Sequence, residues 1–271
     1  MKIVIIGMGN IGKRWLESIL AIRSEKDVFC IEINEIVAKE LQERYKERIT
    51  VYTQISMLPR EIDLCAITST ADVRRKIFDD IVDHCLVKYI VFEKVLFQKE
   101  SDYYHVLNEL ESRKIKGWVN CTRREMPPCK KLKSRLDSGS YFTLCAGGNH
   151  WGLGCNGVHI IDFAAYLGGI DGLEINTSGL IGPVVESKRK GFYEFRGTIT
   201  GKSGKCRSFQ ISDTGSDVMT PLVITINSDA GCYVIDETNG IMRYMDNTTN
   251  WEWSEEDFSY LYTSQIVGSI V

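Results

Sequence analysis

Short apolar runs alternate with longer amphipathic stretches over the first 120 residues of the chain, which has 271 residues in all. The apolar runs predict strands at residues 2–6, 28–33, 50–52, 64–67, 89–92 and 116–121. Between these runs, apolar residues recur every three or four positions, which predicts helices over residues 11–22, 36–45, 73–85 and 103–112. Strands that alternate with helices form parallel, doubly wound sheets. Residues 1–121 are therefore predicted to form an α/β domain.

The pattern changes in the second half of the chain. Two more helices are predicted over residues 129–136 and 156–167. Further on, apolar runs are separated by turn sequences such as Asn239-Gly240, which are typical of antiparallel strands joined by hairpins. These runs predict strands at residues 173–181, 193–200, 206–211, 222–227, 232–235 and 241–244. Residues 122–271 therefore predict a second, α+β domain with a largely antiparallel open sheet.

Composition excludes several classes of protein. Lys and Arg number 33 and Asp and Glu 36, and the formal net charge of −3 argues against binding nucleic acid through bulk charge. No apolar run approaches the roughly 20 residues that span a bilayer. The nine cysteines form no CxxC pair, so the sequence gives no support for a metal site, and free buried thiols are expected. We expect a cytoplasmic protein without a nucleic-acid or membrane partner.

The turn between the first strand and the first helix has the sequence GMGNIG, which is the dinucleotide-binding pattern GxGxxG. Gly7 permits a tight turn, Gly9 lets the backbone approach a pyrophosphate, and Gly12 lets the helix pack close to the strand. Asn10 and Ile11 are assigned to the cofactor site, because the N-terminus of the following helix favours phosphate through its free amides and partial positive charge. The turn predicts a Rossmann-type cofactor site.

Glu32 supports this interpretation, because it lies at the end of the second predicted strand and 20 residues after Gly12. A carboxylate there accepts hydrogen bonds from ribose hydroxyls and repels a 2′-phosphate, so NAD is favoured over NADP. Arg44 or Lys39 could still reach that region. The alternatives are a surface residue at a strand end and, for the glycine turn alone, an S-adenosylmethionine site.

Polar residues follow two further strands of the predicted sheet. Thr68, Ser69 and Thr70 form the turn after one strand, and Glu93 and Lys94 end the next. Ligands of open α/β sheets lie at the carboxyl ends of the strands, so all five residues are assigned to the cofactor site. A lysine beside an oxidised nicotinamide would have a lowered pKa, which suits a proton relay. The alternative is a solvated Glu–Lys pair.

A glycine-rich segment precedes the helix predicted at 156–167. Residues 147–157 include five glycines, which suit a segment that wraps closely around a ligand. His159 and Asp162 share one face of the helix, so that Asp162 could orient the imidazole and neutral His159 could accept a proton. Alternatively His159 is a core histidine. Asn156 is equally a helix N-cap or a substrate ligand.

In this order, GxGxxG, Glu-Lys after a strand, and a glycine-rich segment leading to His-x-x-Asp resemble the glucose-fructose oxidoreductase/inositol dehydrogenase/MocA family. The match covers residues 1–170 well and the later sheet only in general character, and residues 120–127 are similar to the family's Asn-Arg-Arg stretch. The resemblance implies hydride transfer between NAD(P) and a hydroxyl or carbonyl of a sugar, polyol or sugar nucleotide. It places Lys94 and His159 at the substrate as catalytic residues. The substrate-binding residues assigned with them are Arg123, Trp151, Cys155 and Asn156.

Two residues depart from the family pattern. Val95 replaces the proline of Glu-Lys-Pro, so the often cis peptide is lost unless Val95 adopts it. Cys155 replaces an aspartate that the family often carries four residues before the histidine. Three hypotheses follow: an oxidoreductase, more specifically one in surface-polysaccharide biosynthesis; a non-redox enzyme with an internally cycling NAD; and an NAD-binding sensor or scaffold with reduced catalysis.

The second domain also predicts self-association. A large sheet with alternating faces, such as residues 193–199, needs cover on its open side, and the resemblance implies a homodimer or homotetramer formed through it. Family members usually run longer than this chain. Residues 262–267 are predicted to begin a helix, which suggests a naturally short member or a shortened chain.

Overall fold

The computed structural model describes residues 1–137, 139, 141–187, 190–216 and 218–261. The chain divides into two compact units, Met1–Asn120 and Cys121–Leu261. Each of these units contains its own sheet. The helix start predicted at residues 262–267 lies outside the described residues.

The first unit is a parallel sheet flanked by helices. Its strands are β1 (Lys2–Ile6), β2 (Asp27–Ile31), β3 (Thr50–Tyr52), β4 (Glu61–Ile67), β5 (Leu86–Phe92) and β6 (Lys116–Val119). Its helices are α1 (Asn10–Ala21), α2 (Glu35–Tyr45), α3 (Ala71–His84) and α4 (Glu100–Ser112). The strand order is β3-β2-β1-β4-β5-β6, so the winding direction reverses between β1 and β4. Ligands of doubly wound sheets bind at this reversal.

The central strand β1 is buried on both faces, which explains its continuous apolar sequence. Ile3 packs in a cluster with Trp15 of α1 on one face of the sheet. Val4 packs on the opposite face in a cluster with Phe78 of α3. The two clusters form a three-layered core around the parallel sheet.

Some predicted boundaries in this unit are wrong. Strand β2 ends at Ile31, so Glu32 follows the strand instead of ending it. The buried face of α3 includes Arg74 and Phe78, whereas Val73, the first residue of the predicted helix, is 44 % exposed.

The second unit combines two helices with a larger sheet. The helices are α5 (Pro127–Asp137) and α6 (Leu153–Gly168). The strands are β7 (Phe142–Asn149), β8 (Glu174–Glu186), β9 (Tyr193–Ser203), β10 (Cys206–Asp213), β11 (Thr220–Ser228), β12 (Gly231–Asp236), β13 (Ile241–Asp246) and β14 (Ser254–Asp257). The order is β14-β13-β12-β11-β7-β10-β9-β8, with β7 and β10 parallel and the other pairs antiparallel. The predicted fold class, an α/β unit followed by an α+β unit with a largely antiparallel sheet, is confirmed.

Strand β7 is the main element that the sequence analysis missed. Residues 147–149 were predicted to wrap around a ligand, but they end this strand near the middle of the sheet. Leu144 and Ala146 are buried between Ile226 and Ile224 of β11 on one side and β10 on the other. The alternation that begins at Phe142 carried the strand signal, and the glycines after it obscured that signal.

All nine cysteines are in the thiol form, and five of them are buried, two half-buried and two exposed. Cys145 and Cys155 are exposed, so the prediction of buried thiols is wrong for these two. Cys30 follows the prediction, and burial raises the pKa of its thiol to about 12. Within the described ranges, no helix is both long enough and apolar enough to cross a bilayer.

Candidate functional site

The glycine turn after β1 has the close contacts that its sequence predicts. Gly7 has φ +94, and a Cβ at this position would lie 3.1 Å from the backbone nitrogen of Ser69. A Cβ on Gly12 would overlap the carbonyl oxygen of Gly7 and lie 2.9 Å from Thr68 Oγ1. A Cβ on Gly9 would meet no described atom within 4 Å. The packing of the turn itself therefore requires glycine at positions 7 and 12, whereas Gly9 faces open space.

Helix α1 begins directly behind this open space. Its N-cap is Gly9, and no described side chain caps it. Its first turn carries no acidic residue, so the partial positive charge of the helix end is not neutralised within that turn. Asn10 and Ile11 contribute the first two amides of the helix. Such an end is a general site for a phosphate group.

Glu32 directs its carboxylate at the glycine turn. Its Oε2 accepts a hydrogen bond from the amide of Met8 at 3.1 Å, and its Oε1 accepts one from the amide of Asn34 at 2.9 Å. Glu32 therefore contacts the glycine turn, and its predicted binding of a ribose stays a prediction. Asn34 in turn caps α2 by accepting from the amides of Ile36 and Val37. The carboxylate is thus placed beside the turn by the start of the next helix.

The turn after β4 packs directly against the glycine turn. Thr68 Oγ1 donates to the carbonyl oxygens of Gly7 at 2.6 Å and Ile6 at 3.0 Å. Thr70 is the N-cap residue of α3. The Ser69 hydroxyl is buried and has no hydrogen-bond partner in the described part of the chain. An orphaned hydroxyl beside an open glycine turn is consistent with a polar ligand at this edge.

Glu93 and Lys94 differ sharply in their surroundings. Glu93 is 7 % exposed, and its Oε1 accepts hydrogen bonds from Trp15 Nε1 at 3.2 Å and Asn120 Nδ2 at 2.6 Å. The alternative of a solvated Glu–Lys pair is therefore wrong for Glu93, because its carboxylate accepts buried hydrogen bonds within the first unit. Its contact with a cofactor stays a prediction. Lys94 is half-buried, and its peptide bond to Val95 is cis.

Arg74 is a residue of this edge that the sequence analysis did not single out. It lies in the first turn of α3 and is 2 % exposed. Its guanidinium donates to the carbonyl oxygens of Ser69, Val95 and Leu96. The available signal was its spacing, because Arg74 precedes the core residue Phe78 by four positions and so shares the buried face of the helix.

His159 belongs to the second unit and lies half-buried in the second turn of α6. Asp162 was predicted to orient its imidazole. The Asp162 carboxylate accepts from Arg124, with Nη2 at 2.7 Å and Nε at 2.9 Å from Oδ1. Arg124 also lies over the ring of Tyr166. Asp162 is thus engaged by a cation, and its predicted action on His159 stays a prediction.

The start of α6 corrects one prediction. The helix begins at Leu153 with Gly152 as its N-cap, so Asn156 is not the cap. Asn156 Nδ2 donates to the carbonyl oxygen of Trp151 at 2.8 Å, and the indole of Trp151 donates to Ser212. The prediction of Asn156 as the N-cap assumed a helix that starts three residues after the observed start. The glycines around Leu153 are typical of a loop, and they concealed the first turn of the helix.

The helix end is instead capped from a neighbouring strand. Glu194 Oε2 on β9 accepts from the amides of Gly154 at 2.7 Å and Cys155 at 3.1 Å. A Cβ on Gly154 would lie 2.9 Å from the same oxygen, so this glycine permits the approach. Glu194 lies 40 residues after Gly154 in sequence, and no local signal could have assigned it.

Arg123 was predicted to bind substrate, and the structure gives it a structural partner. Its guanidinium is buried and forms a bidentate ion pair with Glu237, with 2.6 Å between Nη2 and Oε2 and 2.8 Å between Nε and Oε1. It also lies over the ring of Tyr260. Burial lowers the pKa of this guanidinium, but Glu237 more than compensates, so that the pKa is raised overall. The substrate role of Arg123 stays a prediction.

No protein-family model and no curated protein match this sequence. Solved structures do match. An oxidoreductase from Agrobacterium radiobacter in complex with NAD+, L-tartaric acid and magnesium has a TM-score of 0.76 at 14 % identity, covering 100 % of this chain and 86 % of that one. UDP-N-acetylglucosamine 3-dehydrogenase GnnA from Acidithiobacillus ferrooxidans has a TM-score of 0.72 at 13 % identity, covering 98 % and 85 %.

A super-repressor mutant of Gal80p from Saccharomyces cerevisiae is similar to the same extent, with a TM-score of 0.76 at 13 % identity over 100 % of this chain and 82 % of that one. These likenesses confirm that the chain has the two-domain fold implied by its resemblance to the glucose-fructose oxidoreductase/inositol dehydrogenase/MocA family. At such identities they establish the fold alone.

Proposed function

We propose that this chain is an NAD(P)-dependent oxidoreductase that interconverts a hydroxyl and a carbonyl on a sugar, sugar nucleotide or polyol. The glycine turn at residues 7–12, with open space over Gly9 and the Glu32 carboxylate bound to its backbone, carries the proposal. This turn lies where the winding of the sheet reverses between β1 and β4. Doubly wound sheets bind dinucleotides at that position.

The residues of this edge fit a nicotinamide dinucleotide, which when bound supplies the hydride acceptor or donor. The amides of Asn10 and Ile11 would bind its pyrophosphate, and the orphaned hydroxyl of Ser69 supplies one further polar group. Glu32 favours NAD, because its carboxylate binds ribose hydroxyls and repels a 2′-phosphate. Neither Ile33 nor Asn34, which follow it, offers a positive charge to such a phosphate.

Lys94 and His159 are proposed to handle the proton. In the oxidising direction the substrate carbon gives up a hydride, and its hydroxyl gives up a proton to a base. The half-buried ammonium of Lys94 would stabilise the substrate oxygen, and neutral His159 would be the opposing proton carrier. Substrate contacts are assigned to Arg123, Trp151, Cys155 and Asn156.

Two further statements belong to this proposal. A sugar-nucleotide substrate, and with it a step in surface-polysaccharide biosynthesis, is supported by the likeness to UDP-N-acetylglucosamine 3-dehydrogenase. Activity in the cytoplasm is supported by nine free cysteines, which suit a reducing compartment.

The test is a coenzyme titration followed by a substrate panel. NADH and NADPH are titrated by fluorescence, and sugars, polyols and sugar nucleotides are then screened for NADH formation. Lys94→Ala should lower turnover by about 10²- to 10⁴-fold while the Kd for NADH stays within about threefold. Lys99→Ala, which changes an exposed lysine five residues away, is the control and should leave turnover intact. No binding of either coenzyme in the fluorescence titration, or full turnover in Lys94→Ala, would contradict the proposal.

A second candidate is a coenzyme-binding sensor. It is favoured by Cys155, which replaces an aspartate that the family often carries, and by the likeness to a super-repressor mutant of Gal80p. This candidate requires coenzyme binding without NADH formation on any compound of the panel. The same screen therefore separates the two functions.

Self-association completes the proposal. Large apolar side chains are exposed on β8 and at the start of β9, among them Ile175, Ile181, Val184 and Tyr193. A cluster of exposed apolar side chains on a sheet marks an interaction surface. We assign it to a homodimer or homotetramer formed through the sheet of the second unit.

A further inference from the structure

The backbone around Lys94 is fixed on both sides by buried polar side chains. On the N-terminal side, the amide of Glu93 donates to the carbonyl oxygen of Ile67 at 3.1 Å, and its carboxylate accepts from Trp15 and Asn120. On the C-terminal side, the carbonyl oxygens of Val95 and Leu96 both accept from Arg74. The lysine therefore stands between two anchored residues, although its own side chain is only half-buried.

Arg74 joins two segments that no strand pairing holds together. One is the turn after β4, through the carbonyl oxygen of Ser69, and the other is the loop after β5, through Val95 and Leu96. Both begin at the carboxyl edge, because Ile67 and Phe92 are the last paired residues of the two neighbouring strands. The planar guanidinium offers several donors in a fixed arrangement, which a lysine or an apolar side chain cannot reproduce.

The burial of the Arg74 guanidinium costs free energy that its contacts must offset. A guanidinium that is 2 % exposed loses its hydration, and only well-placed hydrogen bonds offset that loss. The neighbouring position of the same helix has the ordinary arrangement, since Arg75 is partly exposed and pairs with Asp79 at 2.5 Å. The Arg74 guanidinium donates to carbonyl oxygens of the two segments that flank the proposed cofactor edge.

We propose that Arg74 is a positioning residue, which acts through Lys94 by holding the loop after β5 against the turn after β4. The proposal rests on the proposed function, because it takes Lys94 to act on the substrate oxygen. A displacement of about 1 Å at a reacting group can cost about 10²-fold in rate. Arg74→Lys keeps the positive charge but loses the planar set of guanidinium donors, so it should lower kcat by about 10- to 100-fold.

A double-mutant cycle separates positioning from general stability. Arg74→Lys, Lys94→Ala and the double variant are compared for kcat, with Arg75→Lys as the matched control on the same helix. If Arg74 acts through Lys94, Arg74→Lys lowers kcat in the parent protein but not further in the Lys94→Ala background. Equal losses in both backgrounds would overturn the proposal. Full turnover in Lys94→Ala alone would instead overturn the proposed function.

A second readout needs neither substrate nor coenzyme. Competitive acetylation with acetic anhydride, followed by peptide mass spectrometry, reports the relative reactivity of Lys94 and the exposed Lys99 within one protein. Arg74→Lys should change the Lys94:Lys99 ratio at least about threefold, because the loop that carries Lys94 is released. Arg75→Lys should leave the ratio as in the parent. An unchanged ratio in Arg74→Lys would overturn the positioning role even if the protein turned over no compound of the panel.

Discussion

Glu93 Oε1 lies 2.6 Å from Nδ2 of Asn120, and this hydrogen bond is buried. Glu93 directly precedes Lys94 in sequence, and Asn120 is the last residue of the segment Met1–Asn120 that forms the first unit. The same oxygen also accepts from the indole of Trp15 on α1. One carboxylate thus ties together three parts of the unit, which explains why an acid is tolerated at a position that is 7 % exposed.

Replacing Glu93 should therefore destabilise the protein. Glu93→Ala leaves the Trp15 and Asn120 donors buried without their acceptor, which should lower the free energy of unfolding by about 2–5 kcal/mol. Glu93→Gln retains an oxygen acceptor and should cost about 1–2 kcal/mol. Urea unfolding followed by circular dichroism measures both values. Glu100→Ala, at an exposed position of α4, is the control, and a Glu93→Ala variant as stable as this control would refute the anchoring role.

The two glycines of the turn should separate coenzyme binding from folding. Gly12→Ala places a Cβ against the carbonyl oxygen of Gly7 and should lower the free energy of unfolding by about 2–3 kcal/mol or more. Gly9→Ala meets no described atom and should change stability by at most about 1 kcal/mol. The added methyl group does occupy the space proposed for the pyrophosphate.

Gly9→Ala should therefore weaken NADH binding by about tenfold or more, which corresponds to roughly 1.4 kcal/mol. Fluorescence titration of this variant and of the parent protein measures the two dissociation constants. If Gly9→Ala bound NADH as tightly as the parent, the open space over Gly9 would not be the pyrophosphate site.

Glu32 should set the preference between the two coenzymes. Glu32→Gln removes the negative charge, keeps one oxygen for the amide of Met8 and loses the acceptor for the amide of Asn34. Loss of the charge-assisted bonds to ribose hydroxyls is worth about 1.5–3 kcal/mol, and the NADH preference over NADPH should therefore fall at least about tenfold. Glu35→Gln, in the first turn of α2, is the matched control. The same ratio of the two Kd values in Glu32→Gln and the parent would remove Glu32 from coenzyme selection.

Local patterns were sufficient to predict which strands and helices form the first unit and in which order, although the end of β2 was not predicted correctly. The second unit was predicted less well for a physical reason. Strand β7 pairs with β10 and β11, which follow it by more than 50 residues, and the glycines at 147 and 148 weaken its local signal. Only tertiary pairing defines such a strand, so its limits could not be read from neighbouring residues.

The residues of the candidate site also differ in whether the sequence alone could predict them. Gly7, Gly12 and Glu32 were predicted because sequence spacing alone places them at one turn. Arg74 and Glu194 were missed because their roles depend on backbone groups that lie far away in sequence or in another segment. A charged residue on the buried face of a helix is the one local sign that could have identified Arg74.

The exposed apolar cluster on β8 and β9 should respond to a single charge. Ile181 is 61 % exposed, and Ile181→Lys would place an ammonium group in any interface formed there. Light scattering at about 10 μM should give a dimer or tetramer for the parent, and Ile181→Lys should raise the dissociation constant at least about tenfold, since burying an unpaired charge costs several kcal/mol. Ile170 is equally apolar and 66 % exposed but lies between α6 and β8, outside the cluster, so Ile170→Lys is the control and should leave the mass unchanged. A monomeric parent at this concentration would contradict self-association, and an intact oligomer in Ile181→Lys would move the interface away from this cluster.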